Sequence, residues 1–216
     1  MAERDKAESH AAPAWLQWSR RLQGIAQAGL TYSHDLYDRD RYRQVRRVAA
    51  EMGAAGSRGD HEAIEAFFAS QRGYPTPKID VRAAVVVDDR ILLVRERDDG
   101  AWALPGGWAD IGESPAQAVE RETREEAGVD VEAIKLLALY DREQRGHPRH
   151  PEYSYKAIFA CRSRELAQPM PGPETLEAGF FAADALPELS LARVLPEQIA
   201  LAFAHVRAPE LPTEFD

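Results

Sequence analysis

Five glutamates fall within GGWADIGESPAQAVERETREEAGVD, the 25 residues from Gly106 to Asp130. Three of them, Glu122, Glu125 and Glu126, crowd together if the stretch is helical. Like charges three and four residues apart on a helix cost roughly 0.2 to 0.5 kcal/mol per pair. A face needed only for solubility would intersperse lysines. A divalent cation reverses the sign of that cost, because carboxylate oxygens are hard ligands. Mg²⁺, coordinated at roughly 2.0 to 2.1 Å, commonly bridges protein carboxylates to substrate phosphates. From the helix alone, a metal site and a solvated acidic face are both open.

The element that must carry these carboxylates is marked at both ends. Ser114 is a candidate N-cap, Pro115 suits the first helical position, and Gln117 can close a capping box. Gly128 is placed as the left-handed stop after Ala127. At 100° per residue, Ala116, Val119, Thr123 and Ala127 share a face about 80° wide, and Glu122, Glu125 and Glu126 fall on a different one. The first face is expected to pack on a sheet and the second to hold the charge.

The rest of the chain sets the frame. Its 216 residues carry 44% apolar and 29% charged side chains, ordinary for a water-soluble globular protein, and no apolar run is long enough to span a membrane. The opening MAERDKAESHAAPA lacks the apolar stretch of a secretory signal, and the single cysteine, Cys161, has no intramolecular partner. Both features fit a cytoplasmic protein, with Cys161 packing in a strand. The net charge of −9 is uneven: residues 1–75 hold 11 basic and 10 acidic groups, residues 76–216 hold 16 and 26. So acidic a second part disfavours broad nucleic-acid affinity.

Periodicity divides the chain. Trp15, Trp18, Leu22 and Ile25 make the stripe of a first helix ending at Gly29; Asp38 is a candidate cap for a second, which stops before GAAGSRGD; Asp60 is a candidate cap for a third. Three short helices bury little surface alone, so a homodimer through this small all-α domain is expected. RGYPTPK is stiffened by its prolines and reads as the linker. Strand-like runs follow in DVRAAVVVDDRILLVRE, AWALPGG, VEAIKLLALYD, YSYKAIFACR and AGFFAADAL, and LPEQIALAFAHV closes as a helix. The fold class is α+β, a mixed sheet flanked by helices. The division is a flexible tail over 1–13, a helical domain over 14–72, a linker over 73–78, the α+β domain over 79–208 and a tail over 209–216.

The spacing from Gly107 runs through five residues to Glu113, seven more to Arg121, then Glu122, Thr123, Arg124, Glu125, Glu126, Ala127 and Gly128. This resembles the Nudix hydrolase signature at every fixed position. Thr123, where the family usually carries an aliphatic residue, is a soft departure that concerns packing more than chemistry. IAQAGLTYSHDLYDRDRY, PTPKIDVRAAV and LSLARVLPEQI extend the resemblance to the Nudix subgroup with an N-terminal helical domain.

The resemblance implies the Nudix fold. It also implies hydrolysis of a nucleoside diphosphate linked to a moiety X, CDP-choline or ADP-ribose being favoured, to give a nucleoside monophosphate and phospho-X. It assigns Mg²⁺ or Mn²⁺ to Glu122, Glu125 and Glu126 with the carbonyl of Gly106, a supporting place to Glu113 and an orienting role to Arg121. The general base is Glu126, Glu125 or a glutamate of the loop Arg142 to Glu152. Arg142, Arg145, His147, Arg149 and His150 make that loop cationic, either a clamp for phosphate or a solvated turn. Trp108 either stacks a base or packs beside the site, and Tyr140 with Asp141 either meets substrate or ends a strand. Two alternatives are action on RNA, which the basic RDRYRQVRR would assist, and a non-catalytic nucleotide-sensing regulator.

Overall fold

The computed structural model describes residues 13–150, 152–163 and 168–216. All of the expected N-terminal tail but Pro13 lies outside the described residues. The chain forms two compact units, Met1–Thr76 and Pro77–Asp216.

The first unit holds α1 (Ala14–Tyr32), α2 (Leu36–Ser57) and α3 (His61–Ser70). Gly29 does not stop α1. The helix runs three residues further, and the missing side chain admits the Tyr42 ring, which a Cβ at Gly29 would meet at 2.3 Å. Asp35, not Asp38, caps α2, its carboxylate accepting from the Asp38 N–H at 2.9 Å. That helix also continues through the glycine-rich stretch to Ser57, because Gly56 is where the Trp15 ring lies against it. Asp60 caps α3 by accepting from the Ala63 N–H at 2.7 Å. The core is small, Ala49, Ala50 and Phe68 with Leu22, Ile64 and Phe67 packed on it. Trp18 and Ile25 of the α1 stripe stay more than half exposed, at 53% and 56%.

The second unit is a seven-stranded mixed sheet between two helices. Its strands are β1 (Lys78–Val87), β2 (Arg90–Glu96), β3 (Trp102–Ala103), β4 (Val131–Asp141), β5 (Ser154–Ser163), β6 (Thr175–Ala182) and β7 (Glu214–Phe215). The spatial order is β3-β2-β1-β5-β4-β7, with β6 on β2. β1 runs parallel to β5, and β4 antiparallel to β5. Asp88 and Asp89, both left-handed at φ 49° and 55°, form the two-residue turn that suits a tight hairpin between β1 and β2. Side-chain alternation along β1 divides the core. Val81, Ala83 and Val85 join Ala118, Val119 and Ala127 of α4 (Pro115–Ala127). On the other face Ala84 joins Ile199, Ala202 and Phe203 of α5 (Pro196–Arg207).

The C-terminal residues are not a tail. β7 pairs parallel to β4, Thr213 Oγ1 donates to the Leu136 carbonyl at 2.7 Å, and the Asp216 carboxylate accepts from the Asp141 N–H at 2.7 Å. A two-residue strand shows no period, so only its distant partners define it.

Candidate active site

Helix α4 begins with the expected capping box. Ser114 Oγ accepts from the Gln117 N–H at 3.2 Å, and Gln117 Oε1 accepts from the Ser114 N–H at 2.9 Å. It ends at Gly128, left-handed at φ 66°. Beyond it, the Met170 and Gly172 N–H groups and the Thr175 hydroxyl donate to the carbonyls of Ala127 and Glu126, satisfying the last turn. Thr123 is fully buried, and its hydroxyl donates to the Val119 carbonyl at 2.7 Å, so the polar atom is paid for within the helix.

The three motif glutamates meet different surroundings. Glu125 is exposed, Glu122 is partly covered, and Glu126 is buried at 6% exposure on the border of the packed face. Facing them is the loop Leu104 to Ala109, which lies along β1 where β2 has diverged. The Ala83 and Val81 N–H groups donate to the carbonyls of Pro105 and Gly107, each at 2.8 Å, and the Ala109 N–H donates to the Ile79 carbonyl at 3.0 Å. This docking brings Gly106 so close to β1 that a Cβ would lie 2.0 Å from the Val81 carbonyl oxygen, and its φ of 142° independently disfavours any residue with a side chain. The Gly106 N–H in turn donates to Glu126 Oε2 at 2.8 Å. Burial raises the Glu126 carboxyl to about 7, with Arg82 and the Gly106 bond opposing the rise and Glu96 and Glu122 adding to it.

Arg121 gathers the other carboxylates. Its guanidinium donates to both oxygens of Glu113, at 2.8 and 3.0 Å, and its Nη1 reaches Glu122 Oε1 at 3.0 Å and Glu125 Oε2 at 2.9 Å. The Arg121 bond, helped by the Asp110 N–H, lowers the Glu113 carboxyl to about 2. Glu122 is raised, burial outweighing the pull of Arg121. Glu113 is thus a clamp on Arg121. Among the described residues no three carboxylate, imidazole or thiolate side chains already converge as a metal site.

A second charged group lies on β1 and β5. Register sets Asp80 opposite Lys156, and these two form a buried ion pair, while Arg82 Nε donates to Asp80 Oδ1 at 2.8 Å and Arg82 Nη1 to the Leu104 carbonyl at 3.1 Å. Burial alone would raise the Asp80 carboxyl, but Arg82 and Lys156 outweigh it and hold it below the usual range. Burial lowers the Lys156 ammonium to about 8. The sequence reading missed this network. Its signal was the alternation Lys78, Asp80, Arg82 leading into an apolar strand, which places these charges on one face.

The substrate-contact candidates separate. Trp108 is 40% exposed beside the glycine pair, with the Lys78 ammonium 5.3 Å from its ring centre. Tyr140 is buried in the α5 core and its hydroxyl donates to Glu214 at 2.5 Å. Arg142 is buried, its guanidinium 3.4 Å from the Ala192 carbonyl. Both ring nitrogens of His147 are engaged, Nδ1 with the Leu191 carbonyl at 2.7 Å and Nε2 with the Gln198 amide at 3.0 Å. The structure therefore gives packing partners to all three: Tyr140 because it ends β4 against α5 and Glu214, Arg142 and His147 because their loop folds down onto the segment before α5. Arg145 stacks on Tyr140 at 3.7 Å, and Glu152 pairs with Lys78 at 2.5 Å. Cys161 is buried, and burial pushes its thiol up to about 12.

A glycine loop docked on a mixed sheet, facing a glutamate-rich helix clamped by one arginine, defines a Nudix hydrolase. The NUDIX domain model matches residues 76–201, and a model described as "UDP-X-like, N-terminal oligomerisation domain" matches residues 13–68. The chain belongs to the Nudix family and is a pyrophosphatase of it. It is 45% identical to the Bacillus subtilis protein named "Putative ADP-ribose pyrophosphatase YjhB" over 94% of this chain and 97% of that one. It resembles a crystal structure of an ADP-ribose pyrophosphatase from Streptococcus suis, with 42% identity and a TM-score of 0.60 over 65% of this chain and all of that one. A crystal structure of a UDP-X diphosphatase is similar over 94% of this chain and 98% of that one, at 33% identity and a TM-score of 0.60. No helix among the described residues is long and apolar enough to cross a membrane.

Proposed function

We propose that this enzyme hydrolyses the diphosphate bond of a nucleoside diphosphate linked to a moiety X, ADP-ribose first among the candidates, giving a nucleoside monophosphate and phospho-X. The observation that carries it is the joining of Glu113, Glu122 and Glu125 through Arg121, with Glu126 set against the glycine loop. Names of the relatives rank the substrates: two carry ADP-ribose pyrophosphatase in their names and one UDP-X diphosphatase. CDP-choline has no such support.

The donor set fits a hard divalent cation. Glu122, Glu125, Glu126 and the carbonyl of Gly106 offer only oxygen, the choice of Mg²⁺ or Mn²⁺. The carboxyls of Glu122 and Glu126 are both raised by burial, a cost that a cation would relieve. A Cβ at Gly107 would lie 3.0 Å from the Glu122 carboxylate, so the glycine leaves room beside that group. When bound, the ion would neutralise diphosphate oxygens and make water a stronger nucleophile. The residues then have distinct work: Glu113 holds Arg121, Arg121 sets the directions of Glu122 and Glu125, and the Gly106 N–H orients Glu126. Glu126 is also a candidate to accept the proton of the attacking water, by its place against the glycine loop. Trp108, exposed beside the loop, is a candidate platform for the base.

The helical unit supports a homodimer. Its core is small and it leaves Trp18, Ile25, Leu36 and Tyr37 exposed.

The test is a hydrolysis screen over ADP-ribose, UDP-glucose, CDP-choline and nucleoside triphosphates with Mg²⁺ or Mn²⁺, resolving products by chromatography. Glu126→Gln keeps an acceptor for the Gly106 N–H but loses the charge, so its rate should fall by about a thousandfold or more with the fold retained. Hydrolysis of triphosphates alone would overturn the substrate class. A fully active Glu126→Gln would remove that residue from the chemistry.

A further inference from the structure

The first unit contains a cleft of about 380 Å³, within the range of small-ligand sites. Its cationic lining comes from Arg39, Arg43 and Arg46 of α2 and from Arg72 beyond α3, with Gln23 and Phe68 among the remaining walls. None of its lining residues is acidic. Spacings of four and three put the α2 arginines on one helix face, where like charges repel.

Neighbouring arginines have found partners. Arg41 pairs with Asp38 at 2.6 Å and Arg47 with Glu65 at 3.6 Å. Arg39 donates to the carbonyls of Leu30 and Ser33, which leaves its charge without a counterion. Arg43, Arg46 and Arg72 have no side-chain hydrogen bond or ion pair among the described residues. Two buried atoms of the lining also lack partners: Nε of Arg46 and Oε1 of Gln23, whose side chain is more than nine-tenths buried. Orphan polar atoms of this kind call for a ligand or water.

We propose that this cleft binds a small phosphate monoester, its phosphate held by Arg43, Arg46 and Arg72. Guanidinium groups match phosphate oxygens in charge and in fork geometry. The concave shape, with Phe68 and Leu30 in its wall, suits a compact ligand better than a polymer backbone lying across an open helix. Every lining residue belongs to the first unit, and every motif carboxylate to the second.

Titration calorimetry of the full chain in EDTA, with ribose 5-phosphate as the probe and inorganic phosphate as competitor, tests it. The expected result is saturable binding, displaced by phosphate and weakened about tenfold or more in Arg43→Ala and in Arg46→Ala. Arg46→Lys, which keeps the charge, should retain part of it. Arg47→Ala, an equal loss of charge on the same helix, and Glu122→Gln, in the other unit, should bind as the parent does. Circular dichroism and solution mass guard against misfolding and changed assembly. The proposal is overturned by absence of saturable binding, by equal losses in Arg47→Ala and Arg46→Ala, or by loss in Glu122→Gln alone. A change of mass in Arg43→Ala would assign the arginines to a contact between copies. Salt-sensitive binding of single-stranded RNA without ribose 5-phosphate binding would assign them to a polymer.

Discussion

Arg121 and Glu113, eight residues apart, are joined by two parallel hydrogen bonds, Nη2 to Oε1 at 2.8 Å and Nε to Oε2 at 3.0 Å. The remaining nitrogen, Nη1, is thereby aimed at Glu122 and Glu125. One planar guanidinium therefore links the loop before α4 to two carboxylates on it, a geometry that a lysine cannot copy.

Arg121→Lys should lower kcat about tenfold or more even though the charge is kept, because the fork that orients Glu122 and Glu125 is lost. Glu113→Gln should act through the same link. Steady-state kinetics of both single variants and the double variant check this. Losses in the double variant well short of the product of the single ones are expected, and fully multiplicative losses would mean that the two residues act independently.

Gly106→Ala should be among the most damaging single substitutions in the second unit. It adds a Cβ 2.0 Å from the Val81 carbonyl oxygen at a φ of 142°. Relief requires the loop to leave β1, which also withdraws the N–H from Glu126. A stability loss of about 3 kcal/mol or more is expected, together with loss of activity. Gly112→Ala is the comparison: its φ is 98°, but a Cβ there meets open space. Strain alone, about 1 to 3 kcal/mol, should appear. Thermal melts and initial rates of the pair would show whether close approach or dihedral strain dominates.

His147 should make the second unit sensitive to mild acid. Burial is the largest cause lowering its imidazole to about 3, with Lys156 and Arg142 adding to the effect. The unfolded chain takes up this proton near the ordinary value of 6.5 and the folded chain does not, so protons favour unfolding. The contribution of His147 is fully present above pH 6.5 and falls as pH drops from there toward 3. Denaturant midpoints of the parent should decline between pH 7.5 and 5 more steeply than those of His147→Gln. Parallel curves would show that other groups set the slope.

Much of the site was legible in the sequence because its instructions are local. A capping box, a proline in the first turn and a terminal glycine define α4, and fixed spacing along it brings Glu122, Glu125 and Glu126 together whatever the helix packs on. The mixed sheet was legible for a similar reason, since alternating apolar residues mark strands without naming their neighbours. Tertiary contacts decided the rest. Gly29 and the glycine-rich stretch beginning at Gly53 read as helix ends, yet aromatic rings pack against Gly29 and Gly56 and the helices continue. Arg142 and His147 read as part of a phosphate clamp or of a solvated turn, yet the loop that carries them is folded onto residues about 50 positions away. Register between two strands far apart in the chain set Lys156 beside Asp80, and docking of the glycine loop on β1 turned the Gly106 N–H toward Glu126. The sequence alone determined the charge and the spacing of the motif on its helix, which depend on neighbours within a few residues. Burial of Glu126, and with it the separation of one carboxylate held by the glycine loop from two that Arg121 pairs, was decided only by the fold, because desolvation depends on everything that surrounds a group.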